Sequence, residues 1–350
     1  MRILVVGYGF AGASIAHFLR LLDADVSVIN HSEYDLRSST NVSAGLIVPL
    51  SGRRKAPVFC GAETIPYAWK HYSELQNKSS LNIISDYNVI ELIHDFREYN
   101  DWYGKSSDNK SSEWFEIESN GINPFIKSTG HGYIKYNNAG CISPLNLIKA
   151  YKQLNNQIKY IDENLDYQLI EISNDAVVYE MEKYDLVVFA EGHRCTTNPF
   201  WSYLPFMPVK GEIIDFYSTE LDLNFIINGD LYVIPMGNGF YRAGATYSWD
   251  DIDEFPSNEG LAQLKDKLDK LICCNYEVVK HLAAIRPAIK DRRPVIGQHP
   301  EFENIWIFNG LGTKGALYSP YFGKQLAEAI VQGKPLDKEV DVSRFAFYRV

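Results

Sequence analysis

The chain opens on a short, nearly all-apolar run, Arg2-Ile-Leu-Val-Val-Gly7, without the polar alternation of a half-exposed strand. Such a run predicts a strand buried on both faces of a parallel sheet. From Ala13 to Leu22 the apolar residues Ile15, Phe18, Leu19 and Leu22 recur at helical spacing, and Val26-Ser-Val-Ile29 reads as a second strand. Strand, helix and strand within thirty residues make a βαβ unit. Strand–helix patterns return over 143–192, which ends in the apolar run Leu186 to Ala190, and over 283–331, with a strand at Ile305–Phe308 and a helix from Pro320 to Val331.

Between these stretches the pattern changes. Asn88–Ile93 and His131–Tyr136 alternate, and the polar stretch Tyr103 to Ser112 reads as a mobile loop. Glu212–Tyr217, Phe225–Asn228, Leu231–Pro235 and Gly239–Thr246 are aromatic and β-branched runs separated by turn residues, the pattern of antiparallel strands. A helix over Asn258–Cys273 is expected to cap them. The chain therefore reads as α/β: a Rossmann-like domain with a parallel sheet, assembled from 1–80, 141–205 and 283–350, and a second domain with an antiparallel or mixed sheet from 81–140 and 206–282.

Composition narrows the class. At 350 residues, 46% apolar and 22% charged, the chain has the balance of a soluble globular protein of about two domains rather than a disordered one. No uncharged apolar run reaches the length of a membrane span, and no basic leader with an apolar signal core precedes the first strand. A net charge of −10 disfavours general binding to a phosphate backbone and leaves room for a local basic patch. The five cysteines include one adjacent pair, Cys273-Cys274, and no Cys-x-x-Cys, which predicts reduced thiols in a cytoplasm rather than a disulfide framework or a zinc site. The histidines show no metal-ligand spacing, and no Gly-x-Ser-x-Gly nucleophile turn occurs.

Candidate chemistry begins at Gly7-Tyr8-Gly9-Phe10-Ala11-Gly12, between the first strand and the first helix. In this context Gly7 permits a tight turn, Gly9 lets backbone approach a pyrophosphate and Gly12 lets helix and strand pack closely. The helix start supplies N–H groups and the positive end of its dipole. The acidic residue expected at the end of the second strand is replaced by Asn30, followed by His31; an amide can hydrogen-bond a ribose hydroxyl without the strength of a charged partner.

Further motifs make the reading specific: Ser43-Ala-Gly-Leu-Ile-Val-Pro49, Leu186-Val-Val-Phe-Ala-Glu-Gly192, Ile285-Arg-Pro287, Asp291-Arg-Arg-Pro-Val-Ile-Gly297 and Ile305-Trp-Ile-Phe-Asn-Gly-Leu-Gly-Thr-Lys-Gly315. In this order they resemble the D-amino-acid oxidase family of FAD-dependent oxidoreductases. The likeness is greatest to its glycine/sarcosine oxidase-like members and to the oxidase domain of bifunctional tRNA wobble-uridine modification enzymes. It is strongest over 1–55, 185–250 and 283–331 and weak over 70–135.

The resemblance implies FAD as cofactor, contacted by Gly7, Gly9, Phe10, Ala11, Gly12, Asn30, His31, Ser43, Ala44, Gly45, Leu46, Ala190, Glu191 and Gly192. It adds the loop Gly310, Leu311, Gly312, Thr313, Lys314 and Gly315, which in the family meets the pyrimidine edge of the flavin. It implies a carboxylate-gripping role for Arg286, cavity positions for Tyr232 and Tyr247, and for Arg242 the place where sarcosine-oxidase-like members carry a lysine near the flavin. The basic run Arg53-Arg54-Lys55 reads as a solvated loop or an anion contact. The implied reaction is oxidation of the C–N bond of an amino acid or N-substituted glycine-type amine by hydride transfer, followed by imine hydrolysis, with oxygen or another acceptor taking the electrons. The alternatives are the oxidative step of tRNA wobble-uridine modification, which the net charge disfavours, a flavin-binding protein without turnover, or an NAD-dependent enzyme.

Overall fold

The computed structural model describes residues 1–32, 37–52, 54–108, 111–119, 123–127, 130–173 and 176–348. Strand β1 (Arg2–Val6), helix α1 (Phe10–Leu21) and strand β2 (Asp25–Ile29) form the expected opening. They belong to a six-stranded sheet ordered 159–161, β2, β1, 186–189, 305–309, 295–298. All neighbours are parallel except the last pair. The central strands are apolar because both faces are covered. On one face lie α1 and the helices Gly61–Ser79, Pro144–Leu154 and Gly315–Gln332. The other face is covered by an antiparallel meander of 170–172, 177–179 and 182–184, together with Trp201 and Phe345. That meander lies within a stretch read only as strand and helix.

The second sheet has eight strands in the order 277–286, 209–217, 240–244, 232–237, 225–228, 88–92, 133–136, 115–118. It is mixed, since 225–228 runs parallel to 88–92. The helix Asn258–Leu271 packs Leu264 and Leu268 against one face. This helix stops short of Cys273: Ile272 turns extended, and the Cys273 N–H bonds Phe125 O at 2.9 Å. The strand Glu277–Arg286 belongs wholly to this sheet.

The loop expected over Tyr103 to Ser112 is in part a helix, Phe96–Ser106. Asp95 caps it by accepting from Glu98 N (2.7 Å), Glu98 reaches back to His94 N (2.8 Å), and Trp102 buries the inner face. The last helix begins at Gly315 rather than Pro320, with Pro320 inside it. Proline donates no N–H, so the carbonyl of Ala316 loses its helical partner. The Tyr72 hydroxyl, from the helix Gly61–Ser79, donates to that carbonyl instead. Tyr72→Phe leaves a buried carbonyl unpaired, and we expect it to lower stability by about 1–3 kcal/mol in denaturant titration.

Candidate functional site

A cleft of about 1820 Å³ runs between the two sheets along the C-terminal ends of β1, 186–189 and 305–309. Its nucleotide end is built by the glycine turn. Gly7 has φ +93°, and a Cβ there would sit 2.5 Å from Ala190 O. A Cβ on Gly12 would overlap the Gly7 carbonyl, so Gly12 lies behind the turn and lets α1 close on it, without itself lining the cleft. Gly9, Phe10 and Ala11 do line it. The Phe10 N–H is taken by Thr40 Oγ1 (2.9 Å), and Gly9 is small because Thr40 approaches it. Thr40 carries no motif of its own and was not foreseen.

Asn30 Oδ1 accepts the Tyr8 N–H at 3.0 Å, so this amide braces the glycine turn from the position an acid would hold. His31 lines the cleft beside it. Across from them, Glu191 is gripped by Tyr167 OH (2.5 Å) and Asn198 Nδ2 (2.7 Å). Burial raises its carboxyl to about 6 against the pull of those hydrogen bonds. Ala190 and Gly192 complete this wall.

Ser43, Ala44, Gly45 and Leu46 line the same cleft as the loop 310–315. Gly45 has φ +63°, and a Cβ there would overlap Ile142 O, whose own N–H bonds Gly45 O at 3.0 Å. Gly310, Leu311, Gly312, Thr313, Lys314 and Gly315 all line the cleft. Asn309 joins two of these loops, donating to Gly192 O (2.8 Å) and accepting from Gly310 N (2.9 Å); the sequence reading passed over it. The Gly312 N–H bonds Pro287 O at 3.2 Å.

Among the described residues no acid pairs with the Lys314 ammonium, and burial lowers it to about 8. The unfolded chain holds that proton up to about 10.5, so between the two values it binds more protons than the folded one. Without cofactor, stability is therefore expected to rise from pH 8 to 10, and Lys314→Met to lose that rise; melting temperatures of both proteins across the range check it.

The other end of the cleft is built on two glycines of the eight-stranded sheet, Gly211 and Gly244. Arg286 closes the strand Glu277–Arg286, and its guanidinium lies flat over Gly211, where any Cβ would strike it. It donates to two backbone carbonyls, Lys210 O and Thr246 O, each at 3.2 Å, and no carboxylate pairs with it among the described residues. The Tyr247 ring covers it at 4.3 Å. The Tyr232 hydroxyl lies across Gly244, 2.6 Å from where a Cβ would be. Burial pushes the Tyr232 phenol up to about 12, against the opposing pull of Arg286 and Arg242, so it remains a donor. Gly211 and Gly244 were not singled out in the sequence, because their need arises from side chains that approach from distant segments.

Arg242 is held by a carboxylate rather than left open to the cleft. It belongs to the strand Phe240–Gly244 and does not line the cleft. Its guanidinium grips Asp215 on the neighbouring strand at 2.7 and 3.0 Å and reaches Ser43 O at 3.3 Å. The charge is matched, so Arg242 ties the sheet to the Ser43 segment and is no free cation. Of the basic run, Arg53 lies outside the described residues; Arg54 and Lys55 line the cleft, and Lys55 pairs with Glu91. Among the described residues no group of three histidines, cysteines or acids is placed to hold a metal, and no helix is long and apolar enough to cross a membrane.

The residues present fit FAD. The turn brings backbone rather than side chains to the start of α1, the cleft exceeds the volume of an ordinary small-ligand pocket, and Lys314 sits in it with its charge unmatched by any described acid. Comparison with known proteins agrees. Glycine oxidase of Bacillus subtilis (strain 168) is 30% identical over 148 residues, 41% of this chain and 39% of that protein. The tRNA 5-methylaminomethyl-2-thiouridine biosynthesis bifunctional protein of Marinobacter nauticus is 28% identical over 162 residues, 42% of this chain and 26% of that protein. The matched stretches thus span well under half of either relative. Among solved structures, glycine oxidase from Geobacillus kaustophilus superposes with a TM-score of 0.82 at 21% identity, covering 98% of both chains. Iminodiacetate oxidase from Chelativorans sp. BNC1 gives 0.82 at 17% identity over 97% and 98%. At those identities the likeness is one of fold. The profile of the FAD dependent oxidoreductase family matches residues 2–329, and the chain therefore belongs to that family.

Proposed function

We propose that this protein oxidises the C–N bond of an amino acid or N-substituted glycine-type amine. The observation that carries the reading is Arg286: a guanidinium in the cleft that, among the described residues, bonds two backbone carbonyls and no carboxylate, under one tyrosine ring and beside a second tyrosine's hydroxyl. A planar fork of N–H donors suits a carboxylate held by two parallel hydrogen bonds. Tyr232 adds a third donor, and Tyr247 screens the pair from water on the outer side. A carboxylate fixed in this way fixes the direction of the adjacent C–H bond, which is how positioning lowers the barrier. Bound FAD would supply the two-electron acceptor for the hydride leaving that carbon, with oxygen or another acceptor as the final oxidant. The chain's part is orientation and electrostatics, and no strong base is called on. The two oxidases among its relatives bear names that point to amines of this class.

Anaerobic mixing of the flavin-loaded protein with a panel of amino acids and secondary amines tests the reading. Saturable bleaching of the visible flavin band supports it, and a band untouched by every amine rejects it in favour of a binder without turnover. We also propose a reducing compartment, the cytoplasm; the five unpaired cysteines support it.

A second reading has one observation in its favour. Tyr247 and Trp249 stack at 6.2 Å at the cleft mouth, and both rings are more than half exposed. Exposed aromatic pairs beside cations accept nucleobases. This suits an amine carried on RNA, as the name of the Marinobacter relative suggests for that protein. A gel shift with tRNA that weakens as salt rises would favour it, and no shift at low salt would remove it.

A further inference from the structure

The cleft continues past Arg286 and Tyr232 to Asn228, Gly229 and Asp230. Ile227 pairs with Val233, both buried under the helix Asn258–Leu271, so Asn228 and Tyr232, one position along, point to the opposite face, toward the cleft. Parallel pairing sets Glu91 beside Asn228. Glu91 is only 3% exposed, and its carboxylate accepts from Tyr136 OH (2.6 Å), Asn228 Nδ2 (3.1 Å) and the Lys55 ammonium.

This arrangement fixes which way the Asn228 amide faces. Its N–H₂ end must meet the carboxylate, since its oxygen there would confront another acceptor. The oxygen is turned away from Glu91, and among the described residues nothing donates to it. Strands lie about 4.8 Å apart, which puts Asn228 about 10 Å across the sheet from Gly244 and farther still from the guanidinium over Gly211.

We propose that Asn228 accepts a hydrogen bond from the far end of the substrate, so that the preferred substrate carries a donor several bonds beyond its amino-carboxylate end. The assignment rests on the amine-oxidation reading above. Glycine bound at Arg286 is too short to reach Asn228. Asp230, exposed at the same rim, adds charge of the sign that favours a donor over a second carboxylate. Arg54 is the group a distal carboxylate would seek instead, so the two chemistries compete in a direct comparison.

Glutamine, glutamate and norleucine, each as both enantiomers, present a donor, a carboxylate and no polar end on side chains of similar reach. Dissociation constants come from the perturbation of the flavin spectrum during anaerobic titration, and bleaching is followed separately. Glutamine is expected to bind about tenfold more tightly than norleucine. In Asn228→Leu, close in size and without an acceptor, that ratio should fall to within about twofold. A merely structural loss would weaken both ligands together and leave the ratio standing. Glutamate or norleucine binding the wild-type protein as tightly as glutamine overturns the proposal, and this comparison holds whether or not the variant folds. A preference that persists in Asn228→Leu overturns it as well. A donor preference that is lost in the variant, with no bleaching by any amine, removes the amine-oxidation reading and leaves the assignment of Asn228 intact.

Discussion

An Arg286→Ala protein is expected to retain its flavin and to bind carboxylate ligands roughly a hundredfold more weakly. Two charge-assisted hydrogen bonds to one carboxylate are together worth about 3 kcal/mol, which is a little more than a hundredfold in affinity. The effect should be this large because no carboxylate among the described residues neutralises the guanidinium. It rests over Gly211 on two carbonyls, which orient it and leave its remaining N–H groups for a ligand. Fold stability should change little, since water entering from the cleft can solvate the two carbonyls. Arg286→Lys keeps a charge but not the planar fork, and should fall between the two. Titration with acetate, followed through the flavin spectrum, reads binding apart from turnover. Unchanged affinity in Arg286→Ala would refute the carboxylate role.

The second large effect is expected at Gly12. A Cβ there overlaps the backbone carbonyl of Gly7, and both atoms belong to main chain that cannot swing aside. Gly12→Val must lift α1 off the turn, opening the packing against Ala190 and spoiling the surface on which a pyrophosphate would rest. A cost of about 3 kcal/mol or more follows, as for other overpacked core sites, and the purified protein should be colourless. Gly192→Ala is the contrast. Its φ is +59°, but a Cβ meets nothing within 4 Å, so the cost is backbone strain alone, about 1–2 kcal/mol, and the protein should stay yellow. Flavin absorbance per protein and melting temperature separate the two outcomes.

The parts of this molecule that were legible in the sequence are those whose determinants lie close together along the chain. The opening unit is one: an apolar run, three glycines and a helical stripe fall within thirty residues, and each element then forms where its own side chains dictate. The helix Phe96–Ser106 was legible in principle, through Asp95 and Glu98 at capping-box spacing, but its polar exposed face hid it. Pro320 misled for a local reason: proline marks a first helical turn, and only Tyr72, from another helix, lets it sit deeper. At the site, the facing of Arg242 depends on Asp215 across the sheet, and the need for Gly211 depends on Arg286. Asn228 has no meaning until Glu91 is placed beside it. These are pairings between strands, and no local pattern carries them.

The strand ending at Arg286 runs without a break into Pro287, whose carbonyl holds the loop that carries Lys314. The proposed carboxylate anchor and the proposed flavin-side loop are thus fastened to one length of backbone, whereas the wall at Asn228 is fastened to Glu91 and Lys55, which lie apart from it in the chain. On the proposed reading, the chemistry and the choice of molecule are therefore separable. Rebuilding the outer wall should retune which amines are admitted while the reacting bond stays where it is, making that wall the natural starting point for diversification or engineering.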